Sequence, residues 1–104
     1  MISLKKALGL ISLAKKAGRV VSGESACKEA IRFGSSHLII LTEDASANTK
    51  KNITDSCIYY DVPYVIAFSK DTLGHSIGNA FNAVVSINDE GFATGILNRF
   101  QTNN

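Results

Sequence analysis

The hydrophobic positions of this chain switch repeatedly between the spacing of a helix and the unbroken run of a covered strand. Leu4, Ala7, Leu8, Ile11 and Ala14 recur every three or four residues, so 3–17 reads as a helix with one apolar stripe. Gly18 stops it, and Lys15 and Lys16 stand in the last turn, where cations oppose the helix dipole. Val20 and Val21 suit a very short strand. Ser22 is the expected N-cap of a second helix over 23–33. Ala26, Cys27, Ala30 and Ile31 form its inner face, and Ser25, Lys28, Glu29 and Arg32 share the outer one. Gly34 ends it.

Leu38 to Leu41 is continuously apolar, as in a strand covered on both faces. A third helix is expected from Ala45 to Tyr60, with Ile53, Cys57 and Tyr60 inward, until Asp61-Val62-Pro63 breaks it. Tyr64 to Phe68 reads as a strand. Ser69 caps a short helix that holds Leu73 and Ile77 and stops at Gly78. Asn79 to Asn82 reads as a loop and Ala83 to Ile87 as a last strand. Asn88 is the expected cap of a final helix, with Asp89 and Glu90 in its first turn and Phe92, Ile96 and Phe100 as its stripe. Helices and strands thus alternate along the whole chain. That order predicts a small, partly parallel sheet between helices in a single domain spanning 1–104.

Composition narrows the class without changing the architecture. At 104 residues, with 45% hydrophobic and 19% charged residues, the chain can bury a core without disulfide or metal staples. Cys27 and Cys57 lie in apolar helical patterns, in neither C-x-x-C spacing nor company with a His pair. They read as small buried hydrophobes in a reducing compartment, with a redox pair as the alternative. No stretch reaches the roughly 18 apolar residues of a membrane span. The early apolar run is broken by Ser12, Lys15 and Lys16 and shows no small-residue cleavage signal, so a cytoplasmic location is expected.

The formal net charge is only +2, but it is unevenly spread. Residues 1–32 carry seven Lys and Arg against two acids, and residues 33–104 carry four against seven. A basic segment of this kind points towards a polyanion, although a solvated helix face produces the same pattern.

Catalytic patterns are missing. Neither G-x-x-x-x-G-K-[ST] nor G-x-G-x-x-G occurs. Gly74 reads as a packing position. His37 opens a strand without a nucleophile beside it. His75 and its neighbour Ser76 diverge on a helix and so make no catalytic pair; His75 reads as a surface residue, with contact to a bound ligand as the alternative. Glu43-Asp44 could hold a divalent cation in other folds, but the pair reads more simply as leading into the third helix and complementing its dipole. No cofactor, metal or small-molecule substrate is therefore expected.

What remains is the start of the second helix. Ser22-Gly23-Glu24-Ser25 places backbone N–H groups and a glycine at a helix N-terminus, a setting that attracts phosphate. Lys28 and Arg32 continue the same face, and Lys15, Lys16 and Arg19 could flank it. A plain cap with a solvated face accounts for these residues equally well.

The ordered set of segments goes further. It comprises LISLAKKAGRVVSGESA from Leu10, AIRFG at 30–34, HLIILTEDAS at 37–46 and NTKK at 48–51. YYDVPY at 59–64, SKDTLGHSIG at 69–78 and the closing AVVSINDEGFA complete it. Together they resemble the bacterial YlxQ-type family, within the superfamily of kink-turn RNA-binding ribosomal proteins. The resemblance covers nearly the whole chain. It implies a three-layer α/β/α sandwich, with helices on both faces of a small mixed four-stranded sheet. It also implies non-catalytic binding of structured RNA, kink-turn-like or ribosomal, with no membrane partner.

In that superfamily RNA meets a G-x-N-E or G-x-K-Q motif at the second helix, and an apolar loop after L-G-x-x-x-G. These map here to Gly23-Glu24-Ser25-Ala26 and to Ile77 through Ala83, including Gly78, Asn79 and Ala80. The chain departs from the motif, with Ser25 at the Asn or Lys position and Ala26 at the Glu or Gln position. Glu29 stands at a later lysine, beside Lys28. The resemblance therefore keeps the phosphate-holding part of the site and thins the base-reading part. The alternative it leaves is a protein-interaction or regulatory module that kept the fold and lost specific RNA recognition.

Overall fold

The computed structural model describes residues 4–78 and 82–101. In chain order the elements are α1 (Leu4–Lys16), β1 (Val20–Ser22), α2 (Glu24–Arg32), β2 (Leu38–Leu41) and α3 (Ala47–Tyr60). They continue with β3 (Tyr64–Ile66), α4 (Lys70–Ile77), β4 (Val84–Ile87) and α5 (Glu90–Gln101). The sheet order is β1-β4-β2-β3. β4 runs antiparallel to both β1 and β2, and β2 runs parallel to β3, so the sheet is mixed.

The pleat sorts each strand's side chains between two cores. Leu38 and Ile40 of β2 and Val85 and Ile87 of β4 face α1, α4 and α5, where they meet Ile11, Leu73, Ile77 and Ile96. Ile39, Leu41 and Val84 face α2 and α3, where they meet Cys27, Ile31, Ile53 and Cys57. Covered on both sides, all four β2 residues are fully buried, as the unbroken apolar run requires. Each such side chain contributes about 1.5–3 kcal/mol. The exposed Lys51–Asp55 ion pair at 2.9 Å is a helix pair of the kind worth about 0.3–0.5 kcal/mol, so burial rather than surface charge holds the sandwich together.

Several boundaries differ from the sequence expectation, each for a local reason. Ser22 does not cap α2. It pairs with Val85 as the last residue of β1, and Gly23 takes the N-cap position. α3 starts at Ala47, later than expected, because the Ser46 hydroxyl accepts from the Thr49 N–H at 3.1 Å. β3 ends at Ile66, since Phe68 has φ 68° and cannot extend the strand. The Asn88 side chain turns back to Ser86 Oγ at 2.6 Å. Asp89 caps α5 instead, its carboxylate accepting from the Phe92 N–H at 2.8 Å.

Asp44 of the Glu43-Asp44 pair does not serve the start of α3, whereas the Glu43 backbone carbonyl accepts from Lys50 of that helix at 2.7 Å. Asp44 Oδ1 accepts from the Lys70 N–H at 2.9 Å and so supports the first turn of α4 beside the Ser69 cap. Partial desolvation works against the Asp44 carboxylate. The Thr42 hydroxyl, the Lys70 N–H and its own N–H, with the Lys70 ammonium, nevertheless hold its pKa below the usual carboxylate range.

Two apolar expectations also change. Leu4, at the open end of the α1 stripe, is 44% exposed. Tyr60 is 42% exposed rather than inward with Ile53 and Cys57. The last turn of α3 lies against the outer face of α2, where Tyr60 shares a groove with Lys28 and Arg32. Cys27 and Cys57 are buried free thiols. Burial, with Cys57 nearby, pushes Cys27 up to about 12, and burial pushes Cys57 up to about 11.

Candidate nucleic-acid interface

One end of the sheet gathers the start of α2, the entry to β4 and the start of α3. The Gly23 N–H donates to Val84 O at 3.0 Å, and the Thr42 N–H donates to Ala83 O at 2.9 Å. The chain that follows Gly78 therefore re-enters the sheet beside Gly23. Asn79 and Ala80, expected as contacts in this loop, lie outside the described residues.

Gly23 adopts φ 97° and ψ 151°, a conformation essentially reserved for glycine. A Cβ built there meets no atom within 4 Å, so the space in front of it is open. Gly23, as the N-cap residue, brings no side chain of its own to the start of α2. Its first-turn N–H groups thus face outward with the positive end of the helix dipole, the arrangement that receives an anion. Ser25 is exposed at the same turn, and Ala26 is half-buried.

Glu24 does a different job at this turn. Its carboxylate accepts from the Thr49 hydroxyl at 2.9 Å and from Asn52 Nδ2 at 3.3 Å. The Thr49 hydroxyl lies 3.0 Å from that of Ser46. The starts of α2 and α3 are thereby tied together, and Glu24 is aimed sideways at α3.

The basic residues lie on α2 and at the Arg19 end of β1. Lys28 and Arg32 are exposed along α2, as the helical spacing requires. Lys16 and Arg19 are exposed at the other end of β1, where the Asn88 N–H donates to Arg19 O at 2.7 Å. Four residues of extended chain, about 13 Å, separate Arg19 from Gly23. Ile77 is 3% exposed in the α1, α4 and α5 core, so it supports the loop rather than offering surface to a ligand. Gly78 ends α4 in the left-handed region, φ 77°, and is exposed. Sequence reasoning missed Tyr60 and Phe33 as surface groups. Phe33 is 70% exposed, with the Arg32 guanidinium 5.1 Å from its ring centroid.

Among the described residues, no three His, Cys, Asp or Glu side chains come together as metal ligands, and no helix is long and apolar enough to cross a membrane.

Sheet order, two helix layers and an open helix start beside the β4 entry define a ribosomal-protein-like α/β/α sandwich. Residues 5–96 match the model of the Ribosomal protein L7Ae/L30e/S12e/Gadd45 family, and the chain belongs to that family. It is 47% identical over 88 residues to the RNA-binding protein YlxQ of Bacillus subtilis strain 168, covering 85% of this chain and 88% of that one. It is 33% identical to the large ribosomal subunit protein eL8 of Thermoplasma volcanium, over 84% of this chain and 73% of the relative. A solved structure of a protein with unknown function from Bacillus halodurans C superposes with a TM-score of 0.91 at 31% identity, covering 93% of this chain and 98% of that one. The named relatives are RNA-binding and ribosomal proteins.

Proposed function

We propose that this protein binds structured RNA, of kink-turn-like or ribosomal type, at the start of α2 and the loop that leads into β4. The observation that carries the reading is the open, glycine-led N-terminus of α2 at Gly23, bonded to the entry of β4 at Val84, in a family with RNA-binding relatives. The N–H groups at Glu24 and Ser25 take a phosphate there, and Gly23 lets the RNA backbone come close. Lys28 and Arg32 neutralise further phosphates along α2, and Glu24 holds the helix start in place through Thr49. Gly78, Asn79 and Ala80 supply further contacts to the RNA. Lys16 and Arg19 lie too far from Gly23 to share one phosphate with it, and they add a second basic patch for a longer RNA. The protein acts in the cytoplasm.

With Ser25 and Ala26 at the base-reading positions, affinity comes mainly from phosphates and selectivity among RNA motifs is reduced. A gel-shift series against a kink-turn RNA, an unkinked hairpin and duplex DNA tests this reading. Binding should fall steeply with salt, and Lys28→Glu or Arg32→Glu should lower the slope of log affinity against log salt by about one unit each. If neither RNA binds at moderate salt, the reading fails and the fold serves protein interaction instead.

A further inference from the structure

The outer faces of α2 and α3 meet in a groove of about 210 Å³, lined by Lys28, Glu29 and Arg32 on one side and Ser56 and Tyr60 on the other. Its aromatic content is not needed by either core. The half-exposed Tyr60 ring is steadied by an edge-to-face contact with Tyr59, centroids 4.8 Å apart. At the same end of α2, the Arg32 guanidinium sits over Phe33. Among the described residues, neither Lys28 nor Arg32 takes part in an ion pair.

Exposed flat rings beside unpaired cations match a nucleobase with its phosphates better than they match an apolar peptide face, which would leave both charges desolvated. A base paired and stacked inside a duplex does not reach Tyr60, whereas an unpaired one can.

We propose that this groove is a subsite for one unpaired nucleotide of the bound RNA, its base stacked on Tyr60, its phosphates at Lys28 and Arg32, and the Ser56 hydroxyl available to the base edge or 2′-OH. The proposal rests on the RNA-binding reading above and adds a preference for single-stranded nucleotides flanking the structured element. Ser25 and Arg32 are seven residues apart on α2, about 10 Å along its axis, so one RNA strand can lie along both sites. Glu29 is the opposing charge in the groove, and it weakens phosphate binding there.

The test uses an eight-nucleotide oligo(A) carrying 2-aminopurine, both free and as a tail on a kink-turn hairpin. The tail should raise the affinity of the parent protein, and its 2-aminopurine fluorescence should be quenched on binding. Tyr60→Ala should weaken the tailed hairpin about fivefold or more and leave the untailed hairpin unchanged. Tyr60→Phe, which keeps the ring, should stay within about twofold of the parent. Glu29→Lys should tighten binding of the tail. A thermal melt verifies that each variant folds.

A tail that adds no affinity, or a Tyr60→Ala variant with undiminished tail binding and quenching, overturns the proposal. So does an absence of quenching with a nuclease-resistant protein partner lost on Tyr60→Ala, which would give the groove to a protein ligand. If the untailed hairpin fails to bind, the helix-start reading fails by itself, and the groove is judged on quenching and affinity of the free oligo(A).

Discussion

The Glu24 carboxylate accepts a hydrogen bond from the Thr49 hydroxyl at 2.9 Å across 25 residues of sequence, and so couples the first turn of α2 to the first turn of α3. Removing either partner should loosen both helix starts. Thr49→Val or Glu24→Ala should each cost about 1 kcal/mol, a fall in Tm of about 4–8 °C for a domain of this size. The double variant should cost less than the sum, because one bond is lost in both. Thr49→Val keeps the Glu24 carboxylate, so if Glu24 acts only by positioning the helix, Thr49→Val and Glu24→Ala should weaken RNA binding to a similar extent, measured well below their Tm. A loss in Glu24→Ala about tenfold or more beyond that in Thr49→Val would assign Glu24 to the RNA contact.

Gly23→Ala isolates backbone strain from crowding. Nothing lies within 4 Å of the added Cβ, but φ 97° with ψ 151° is hostile to an L side chain. The variant should lose about 1–3 kcal/mol in urea unfolding with an unchanged m-value. Its RNA affinity should fall as well, since the shifted backbone no longer aims the first-turn N–H groups outward. An unchanged stability would mean that the turn relaxes without cost.

The two thiols are inert while the protein is folded. Their raised pKa values predict negligible alkylation by iodoacetamide at neutral pH until denaturant is added. The burial that raises them also makes stability pH-dependent. A folded-state pKa of about 11 to 12 against 9.0 for the ordinary thiol means that the contribution is complete below about pH 9 and is lost as pH rises through 11 to 12. The stability advantage of the parent over a Cys27→Ala, Cys57→Ala double variant should therefore shrink between pH 9 and 12. Cys57→Ser, which buries a hydroxyl among Ile39, Leu41 and Ile53, should cost about 1–3 kcal/mol.

If the start of α2 faces RNA bases as proposed, base reading should be gained by substitution at Ser25 and Ala26. Ser25 is exposed and Ala26 half-buried at the open turn, so longer polar side chains have room to extend outward. The double substitution Ser25→Asn with Ala26→Glu should raise the preference for a kink-turn over an unkinked hairpin by about tenfold, the effect of one well-placed polar contact to a base edge. Competition binding with both RNAs measures the ratio. An unchanged ratio would show that this turn does not face bases.

Much of the architecture was legible in the pattern of the chain. The unbroken run from Leu38 to Leu41 marked a strand covered on both faces, and spacing placed Cys27, Ala30 and Ile31 inward on α2 with Lys28 and Arg32 outward. Periods of two and 3.6 residues are local properties, so burial writes them directly into the sequence. Gly78 was legible for a similar reason, because a helix stop in the left-handed region calls for glycine.

What the tertiary structure decided concerns which local features meet. Asp44 serves α4 because the parallel pairing of β2 and β3 brings Lys70 beside it, 26 residues on. Tyr60 continues the inward period of Ile53 and Cys57, yet the last turn of α3 delivers it to a groove with Arg32. Arg19 and Gly23 are near neighbours in sequence, but extended chain holds them at opposite ends of β1. The basic third of the chain is therefore spread over α2 and the far end of β1 rather than gathered around Gly23. Charge and period are set residue by residue, whereas strand direction and helix crossover set the distances between them, and those arise only when the two cores close on the sheet.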